Sequence, residues 1–260
     1  MMIVIIRRVN LQKPRECLHA RQREESTSTN LSETYRENDV ADPKEFYTNT
    51  QRKIQAEQDS SGLAEVMAAT IVFDELQDDH RAFIETRDYF MLSTVNAEGE
   101  PTVSYKGGPI GIVQVMSAKK LLFPSFDGNG MFYSMGNIAD AGKIGMLFID
   151  METPHRVRLQ GTATVSKDPE LMKRFPGANM VVEVAVTSVF INCARYIHKH
   201  ERLEPSKYVP DEKGEQPFPA WKRIDLLQGA LPDKDQGKAE EAGGLITAEQ
   251  YQRALEDGES

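Results

Sequence analysis

Cysteine and long apolar runs are scarce in this chain of 260 residues. Its two cysteines, Cys17 and Cys193, lie far apart, which argues against a disulfide framework or a cysteine-rich zinc site and favours a reducing, cytoplasmic compartment. No run approaches the roughly 18 apolar residues that a membrane-spanning helix needs. The apolar run at residues 1–6 is too short and is followed, not preceded, by arginines. Neither a membrane span nor a secretory signal is therefore expected.

Basic residues are in the minority. The chain has 31 Lys and Arg against 40 Asp and Glu, a formal net charge of −9 at pH 7, which disfavours nonspecific binding to nucleic acid. Much of the excess lies in residues 231–260, with eight acidic and three basic residues. The five histidines lie on separate segments without the spacing of metal ligands, so no metal site is predicted.

Composition and hydrophobic period divide the chain into three parts. Residues 1–45 are polar and show no apolar period, which predicts a disordered or loosely attached N-terminal extension. Residues 46–224 carry the helix and strand patterns of one domain. Residues 225–260 form an acidic C-terminal tail, in which Thr247 and Gln250 fit a capping box that predicts a short helix.

The central domain has the pattern of a mainly β fold with short helices. Alternating or continuous apolar runs predict strands over 89–95, 101–105, 112–116, 121–123, 144–149, 155–165 and 181–190. The alternating strand and helix units of a doubly wound sheet are absent. About seven strands with short helices between them predict a barrel or a sandwich.

The segment from Asp127 to Asn137, DGNGMFYSMGN, is rich in glycine, asparagine and serine and follows an apolar run. Asp-Gly and Asn-Gly are turn signals, and a helix that starts after the turn would offer free N–H groups to a phosphate. Asn129 and Ser134 are candidate hydrogen-bond donors, with Phe132 and Asn137 on the same wall. The alternative is an ordinary turn before a surface helix.

Two strands carry polar side chains that suit an anion. In strand 155–165, Arg156, Arg158 and Gln160 share one face, and guanidinium groups match phosphate oxygens. The alternative is a solvated polar face. Ser104 and Lys106 share a face of an earlier strand, with Tyr105 on the other. Lys106 offers a positive charge, unless it is an ordinary edge-strand lysine.

Residues 192–198, NCARYIH, follow the last predicted strand. Arg195, Tyr196 and His198 bring together a charge, a stacking surface and a titratable ring. His198 has the alternative of being a plain surface histidine.

Four blocks occur in order: SYKGG at 104–108, DGNGM-x-x-S-x-GN at 127–137, P-x-R-x-R-x-x-G at 154–161 and NCARYIH at 192–198. Together they resemble the pyridoxamine 5′-phosphate oxidase-like family of FMN-binding split barrels, and within it the predicted flavin-nucleotide-binding branch. The resemblance covers about residues 50–224. It implies a dimeric split β-barrel with short helices, in which two FMN molecules lie at the subunit interface. Relatives usually carry proline where this chain has Ala194, which makes the local turn less rigid.

With the resemblance, the candidate residues form two groups. The candidate FMN-binding residues are Ser104, Lys106, Asn129, Phe132, Ser134, Asn137, Arg156, Arg158, Gln160, Trp221 and Lys222. The candidate substrate-side residues are Arg195, Tyr196 and His198. Trp221 and Lys222 resemble an aromatic-basic pair that reaches the flavin in related folds, although a lone tryptophan most often serves packing. No catalytic residue is predicted.

The implied activity is electron transfer through FMN in a homodimer, between a donor such as a reduced nicotinamide and a small organic acceptor or oxygen. Oxidation of pyridoxamine phosphate is not the expected reaction, since the matched branch differs from the one with the vitamin B6 enzyme's substrate motifs. The alternatives are a non-catalytic flavin-binding protein, a haem-binding or haem-degrading split barrel with His198 and His200 as ligands, and a deazaflavin enzyme. No nucleic acid or membrane is expected as a partner.

Overall fold

The computed structural model describes residues 46–258, and the extension predicted over residues 1–45 lies outside the described residues. The helices of the described part are α1 (Asn49–Glu57), α2 (Ser61–Ile71), α3 (Asp78–Glu85), α4 (Tyr133–Ala141), α5 (Pro169–Met172), α6 (Lys238–Glu241) and α7 (Ala248–Glu256), with short 3-10 helices at Ala220–Arg223, Asp225–Ala230 and Asp233–Asp235. The strands are β1 (Val72–Phe73), β2 (Tyr89–Val95), β3 (Pro101–Gly107), β4 (Gln114–Ser117), β5 (Lys120–Ser125), β6 (Lys143–Asp150), β7 (His155–Ser166) and β8 (Met180–Ile191). None of the helices within residues 46–258 has the length and apolar composition that crossing a membrane requires.

All the strands belong to one antiparallel sheet that curls on itself. The order is β3-β2-β6-β7-β8-β5-β4, and β1 pairs with β8 outside this path. Three strands separate β2 from β5, yet the rings of Phe90 and Phe123 on these two strands are 5.1 Å apart. Such a contact requires the sheet to close round a core, since neighbouring strands lie about 4.8 Å apart. The predicted mainly β fold is confirmed.

The core fills the inside of the curled sheet. Phe90, Phe123 and Phe148 are fully buried, and aliphatic residues from every strand longer than two residues except the edge strand β3 surround them. Burial of one such side chain contributes about 1.5–3 kcal/mol. The two predicted faces of β7 are confirmed, because Val157 and Leu159 are buried and the alternate Arg158 and Gln160 are exposed.

The register of the sheet assigns the residues of β3 to its two faces. Ser104 pairs with Leu92 and Lys106 with Phe90, and both partners are fully buried. Directly paired residues point to the same side of a sheet, so Ser104 and Lys106 lie on the inner face. Tyr105 pairs with Met91 in a row that continues to Arg158. Tyr105 and Arg158 therefore share the outer face.

The residues after 224 pack against the end of the barrel domain. Ile224 and Ile246 form a parallel bridge, and the Asp225 backbone N–H donates to the carbonyl of Ile246 at 2.9 Å. The predicted capping box is confirmed, because the side chains of Thr247 and Gln250 bond reciprocally to the backbone at the start of α7. The domain boundary at 224 stays a prediction, and ordered contacts cross it.

Candidate functional site

The N-terminus of α4 lies next to the inner face of β3. Phe132 caps this helix in the left-handed conformation, with φ of 48°, and supplies no side-chain hydrogen bond to the first turn. The Ser134 side chain, in that first turn, lies with its Oγ 3.2 Å from Oγ of Ser104. Open N–H groups at a helix N-terminus carry a partial positive charge and suit an anion. A bulky residue at positive φ is uncommon and clusters at binding sites.

Lys106 adds a full charge to this region, two positions along the same face from Ser104. Its ammonium group is half-buried, and burial lowers its pKa. Within residues 46–258 no carboxylate lies in ion-pair distance of Lys106. A partly desolvated cation without a partner is costly, so an anion bound here would stabilise it. We call the open first turn of α4 together with Ser104, Ser134 and Lys106 the inner site.

Two asparagines of the Gly-rich segment stabilise the local structure around the inner site. Asn137 is buried and its Nδ2 donates to Oγ1 of Thr94 at 3.0 Å, which holds α4 against β2. Asn129 is exposed, and its Oδ1 accepts from the backbone N–H of Met131 at 3.1 Å. Thr94 is a contact that sequence reasoning missed, because a threonine on a strand carries no signal of its own.

The polar stripe of β7 lies on the opposite face of the sheet from the inner site. Arg158 and Gln160 are exposed there, and Oε1 of Gln160 accepts from the Ser188 hydroxyl at 3.2 Å. Arg156 is half-buried, and its buried Nε has no hydrogen-bond partner among the residues that the structure describes. A single chain therefore does not bring the stripe together with Ser104 and Lys106.

Lys222 is buried in an ion cluster. Its Nζ lies 2.6 Å from Oδ2 of Asp127 and 2.8 Å from Oδ2 of Asp235, and Lys234 lies 3.4 Å from Asp127. Burial acts to lower the pKa of Lys222, but hydrogen bonds and charges from the two carboxylates outweigh it and raise that pKa. The charge of Lys222 is thus compensated within the chain. The cluster ties the residue that precedes the Gly-rich turn to the C-terminal segment.

A cleft of about 730 Å³ opens beside the outer face of β3. The rings of Tyr89 and Tyr105 stack at 5.2 Å with planes 14° apart, and Trp221 lies on another wall. A strap, residues 200–210, runs along its edge. The His200 backbone N–H donates to the Met151 carbonyl at 3.1 Å. We call this space the outer cleft.

The predicted substrate-side residues do not line the outer cleft. Arg195, Tyr196 and His198 are exposed, Tyr196 to 88%, and they lie outside its walls. His200, two residues further on, does line it, and its Nδ1 lies 2.9 Å from the carbonyl of His198. No group of three or more possible metal ligands occurs in the part of the chain that the structure describes.

The curled antiparallel sheet with short helices defines a split β-barrel. A family model described as pyridoxamine 5′-phosphate oxidase matches residues 76–202, a range that contains all four sequence blocks. The match over residues 76–202 supports the pyridoxamine 5′-phosphate oxidase-like split-barrel family. No curated protein matches the chain.

Several solved structures are similar to parts of the chain. HupZ of Group A Streptococcus is 20% identical with a TM-score of 0.38, covering 48% of this chain and 100% of its own. An FMN-binding protein from Syntrophomonas wolfei is 12% identical with a TM-score of 0.35, covering 44% of this chain and 83% of its own. HutZ, the haem storage protein from Vibrio cholerae, is 18% identical with a TM-score of 0.32, covering 45% of this chain and 94% of its own.

Proposed function

We propose that this protein binds FMN and acts as an FMN-dependent oxidoreductase, as a homodimer of the flavin-nucleotide-binding branch. The observation that carries the proposal is the inner site. There the open first turn of α4 meets the hydroxyls of Ser104 and Ser134, and Lys106 lies on the same inner face with no carboxylate partner among residues 46–258. Hydroxyl donors, a helix N-terminus and a lysine form a common phosphate-binding set.

The chain's own residues fit the phosphate and ribityl parts of FMN. The backbone N–H groups of the first turn of α4 and the Ser134 hydroxyl would donate to phosphate oxygens, and Ser104 would donate to the phosphate or the ribityl chain. Lys106 would balance the negative charge. When bound, FMN supplies hydride and electron transfer, and the protein supplies position and charge.

A second copy of the chain would complete the site. Arg158 and Gln160 point away from the inner site of their own chain, so they could reach FMN only on a partner. The outer face also exposes Val103 to 68%, and α2 exposes Leu63 and Val66. Exposed apolar patches of this kind mark protein interfaces. These features support a homodimer in which both chains contribute to each FMN site.

The reaction partners follow from the proposed class. A small organic acceptor or oxygen would take electrons from the flavin, and a reduced nicotinamide is the expected donor. The net charge of −9 supports the absence of nucleic-acid partners, and the two distant cysteines support a cytoplasmic location.

The experiment that tests this proposal is an absorption spectrum of the purified chain, taken before and after FMN is added and free FMN is removed by desalting. A retained flavin spectrum, lost in a Ser104→Ala/Ser134→Ala double variant but kept in Ser117→Ala, supports the inner site. Ser117 lies at the end of β4 and serves as the matched control. A haem band instead, or no chromophore at all, would contradict the cofactor assignment.

Turnover and assembly are measured next on the same sample. Oxidation of NADH or NADPH by the FMN-loaded protein supports the oxidoreductase, whereas tight FMN binding without turnover identifies a flavin-binding protein. Light scattering after size exclusion gives the number of chains per particle. A monomer that keeps FMN would contradict the shared site.

A further inference from the structure

We propose that the outer cleft is the substrate subsite and that it takes a flat aromatic cation, not a phosphorylated or otherwise anionic ring. The role as a substrate subsite rests on the proposed function, because the proposed homodimer brings the outer face of one chain to the FMN of its partner. Occupation of the cleft does not require the flavin, so it can be measured separately.

The walls of the outer cleft suit a flat ring. The stacked pair of Tyr89 and Tyr105 forms one wall, and Tyr105 is 61% exposed, so an open aromatic surface remains. Trp221 and Tyr208 also line the cleft, and each ring already has a lysine ammonium group over it, Lys222 at 5.6 Å and Lys207 at 5.2 Å, so the aromatic face open to a ligand is that of Tyr105. The volume of about 730 Å³ lies within the roughly 300–1,000 Å³ that is usual for small-molecule sites. Aromatic faces attract cations through the ring quadrupole.

The glycine at the end of β3 keeps this platform in place. A Cβ atom on Gly107 would lie 2.7 Å from Cε1 of Tyr105, a distance that forces the ring to move. Because Gly107 has no Cβ, the Tyr105 ring can lie over it and stack on Tyr89. This explains the first glycine of the SYKGG block by contact and not by backbone freedom.

The charges of the outer cleft favour a cation. Six carboxylates and two guanidinium groups line it. Both guanidinium groups form ion pairs with carboxylates of the cleft, because Arg87 pairs with Asp150 at 2.8 Å and Arg202 pairs with Asp88 at 2.8 Å.

Three carboxylates of the cleft have no cation of their own. Within residues 46–258, Glu152, Glu201 and Glu204 form no ion pair. Asp127, the sixth carboxylate, is neutralised by Lys222 and Lys234. The excess charge at the rim is therefore negative.

Nothing in the outer cleft resembles the phosphate-binding set of the inner site. Among residues 46–258 its walls contain no lysine and no N-terminus of an α-helix, and burial and the charge of Asp88 raise the pKa of both Tyr89 and Tyr105, which favours their uncharged phenol form. A ring that carries a phosphate or carboxylate would meet like charge here. A cationic ring would meet aromatic faces and carboxylates together.

The test compares three ligands built on one pyridine ring. These are 1-methylnicotinamide, a cation, nicotinamide, which is neutral, and nicotinate, an anion. Binding to the full chain without FMN is measured by calorimetry. We expect the cation to bind about tenfold or more tightly than the anion, with nicotinamide between them.

Two variants locate the binding. Tyr105→Leu removes the exposed platform and is expected to weaken binding of the cation by about fivefold or more. The Glu201→Gln/Glu204→Gln double variant is expected to weaken the cation by about threefold and to leave nicotinamide unchanged. The matched control is Glu65→Gln/Glu98→Gln, which removes two exposed carboxylates outside the cleft and should change neither ligand. Thermal melting of each variant shows that it is folded.

The outcomes separate this inference from the proposed function. Nicotinate binding as tightly as the cation, no binding of any of the three ligands, or an unchanged affinity in folded Tyr105→Leu would each overturn the inference, even when FMN is retained. Selective cation binding by a chain that retains no FMN would support the cation site in the outer cleft and contradict the proposed function. The ligand of the cleft would then not be a substrate of a flavin reaction.

Discussion

The inner site and the outer cleft lie on the two faces of one strand, and their chemistry is opposite. Ser104 and Lys106 point inward, where an open helix end suits an anion, as does the Lys106 ammonium group, which has no carboxylate partner in the described part of the chain. Tyr105, between them, points outward to aromatic walls and carboxylates. Because side chains alternate along a strand, one short segment can serve two ligands of opposite charge without bringing those charges together.

The two regions are linked through Asp127. This residue lines the outer cleft, binds Lys222, and directly precedes the turn that leads to α4 and the inner site. The C-terminal Asp235 holds the same lysine from the other side. A substitution in the ion cluster of Lys222 is therefore expected to affect both regions. A substitution at a residue of only one region is expected to affect that region alone.

The largest effect is expected from Lys222→Met. The change leaves Asp127 and Asp235 without the buried cation between them, and removing one partner of a buried ion pair costs about 3–5 kcal/mol. Chemical denaturation monitored by fluorescence of Trp221, the only tryptophan, measures the free energy of unfolding. Lys234→Met is the control, because Lys234 is largely exposed and 3.4 Å from Asp127, and it should cost less than about 1 kcal/mol. Equal losses in the two variants would show that the burial of Lys222 has no special weight.

The next effect is expected from Lys106→Met, which removes the cation of the inner site only. Affinity for FMN should fall by about tenfold, in line with the loss of one charge-assisted contact to a phosphate. Binding of 1-methylnicotinamide should not change. The control is Lys143→Met, which removes an exposed lysine of β6. FMN affinity equal to that of the unaltered chain would exclude Lys106 from the site.

Gly107→Ala acts on the outer cleft only and should have a smaller effect. The added Cβ displaces the Tyr105 ring, so affinity for 1-methylnicotinamide should fall by about threefold while FMN binding stays the same. Gly62→Ala is the matched control, because nothing lies within 4 Å of a Cβ at that position. A fall in FMN affinity with unchanged cation binding would reverse the assignment of the two faces. Calorimetry of both ligands on both variants provides the measurement.

The smallest effect is expected from pH. Burial holds the pKa of Lys106 below its ordinary value of 10.5, so the ammonium group loses its charge at a lower pH than a free lysine. As the pH rises towards 10.5, FMN affinity should fall by about threefold, whereas the outer cleft should lose affinity only at higher pH, since burial raises the pKa of Tyr89 and Tyr105 above the ordinary tyrosine value. Lys106→Met should show a flatter FMN profile.

The same pKa shift predicts the sign of the stability change without FMN. A folded pKa below 10.5 means that the unfolded chain binds more protons through this window, so the FMN-free protein should gain stability as pH rises towards 10.5. Denaturation of Lys106→Met over the same pH range should lack this gain. An identical pH slope in both proteins would contradict the desolvation of Lys106.

Local patterns in the sequence predicted the elements well where one face is buried. The alternation of β7 correctly separated Leu159 from Arg158, and the spacing of Thr247 and Gln250 correctly predicted the cap of α7. Both signals depend on residues a few positions apart, which is the range over which helix and strand periods act. Of the inner site, Ser134 was predicted from a glycine-rich turn before a helix, and Ser104 and Lys106 were predicted from a shared strand face and the family resemblance.

Contacts between distant residues were beyond such patterns. Lys222 and Asp127 are 95 positions apart, and neither shows in the sequence that it has a partner. The pairing of Asn137 with Thr94 and the stacking of Tyr89 on Tyr105 likewise depend on how strands and helices meet. The sequence placed Trp221 and Lys222 together as neighbours, while the structure gives one a cleft wall and the other a buried ion cluster.

The sequence by itself determined the strands, the two faces of β7, the cap of α7 and the resemblance to a family, because these depend on local period and on blocks of neighbouring residues. Only the tertiary structure decided which side of the sheet each polar residue faces relative to the others, and which charges are already paired. Those two properties depend on register and on closure of the barrel, which bring together residues far apart in the chain. They separate an inner site suited to an anion from an outer cleft suited to a cation.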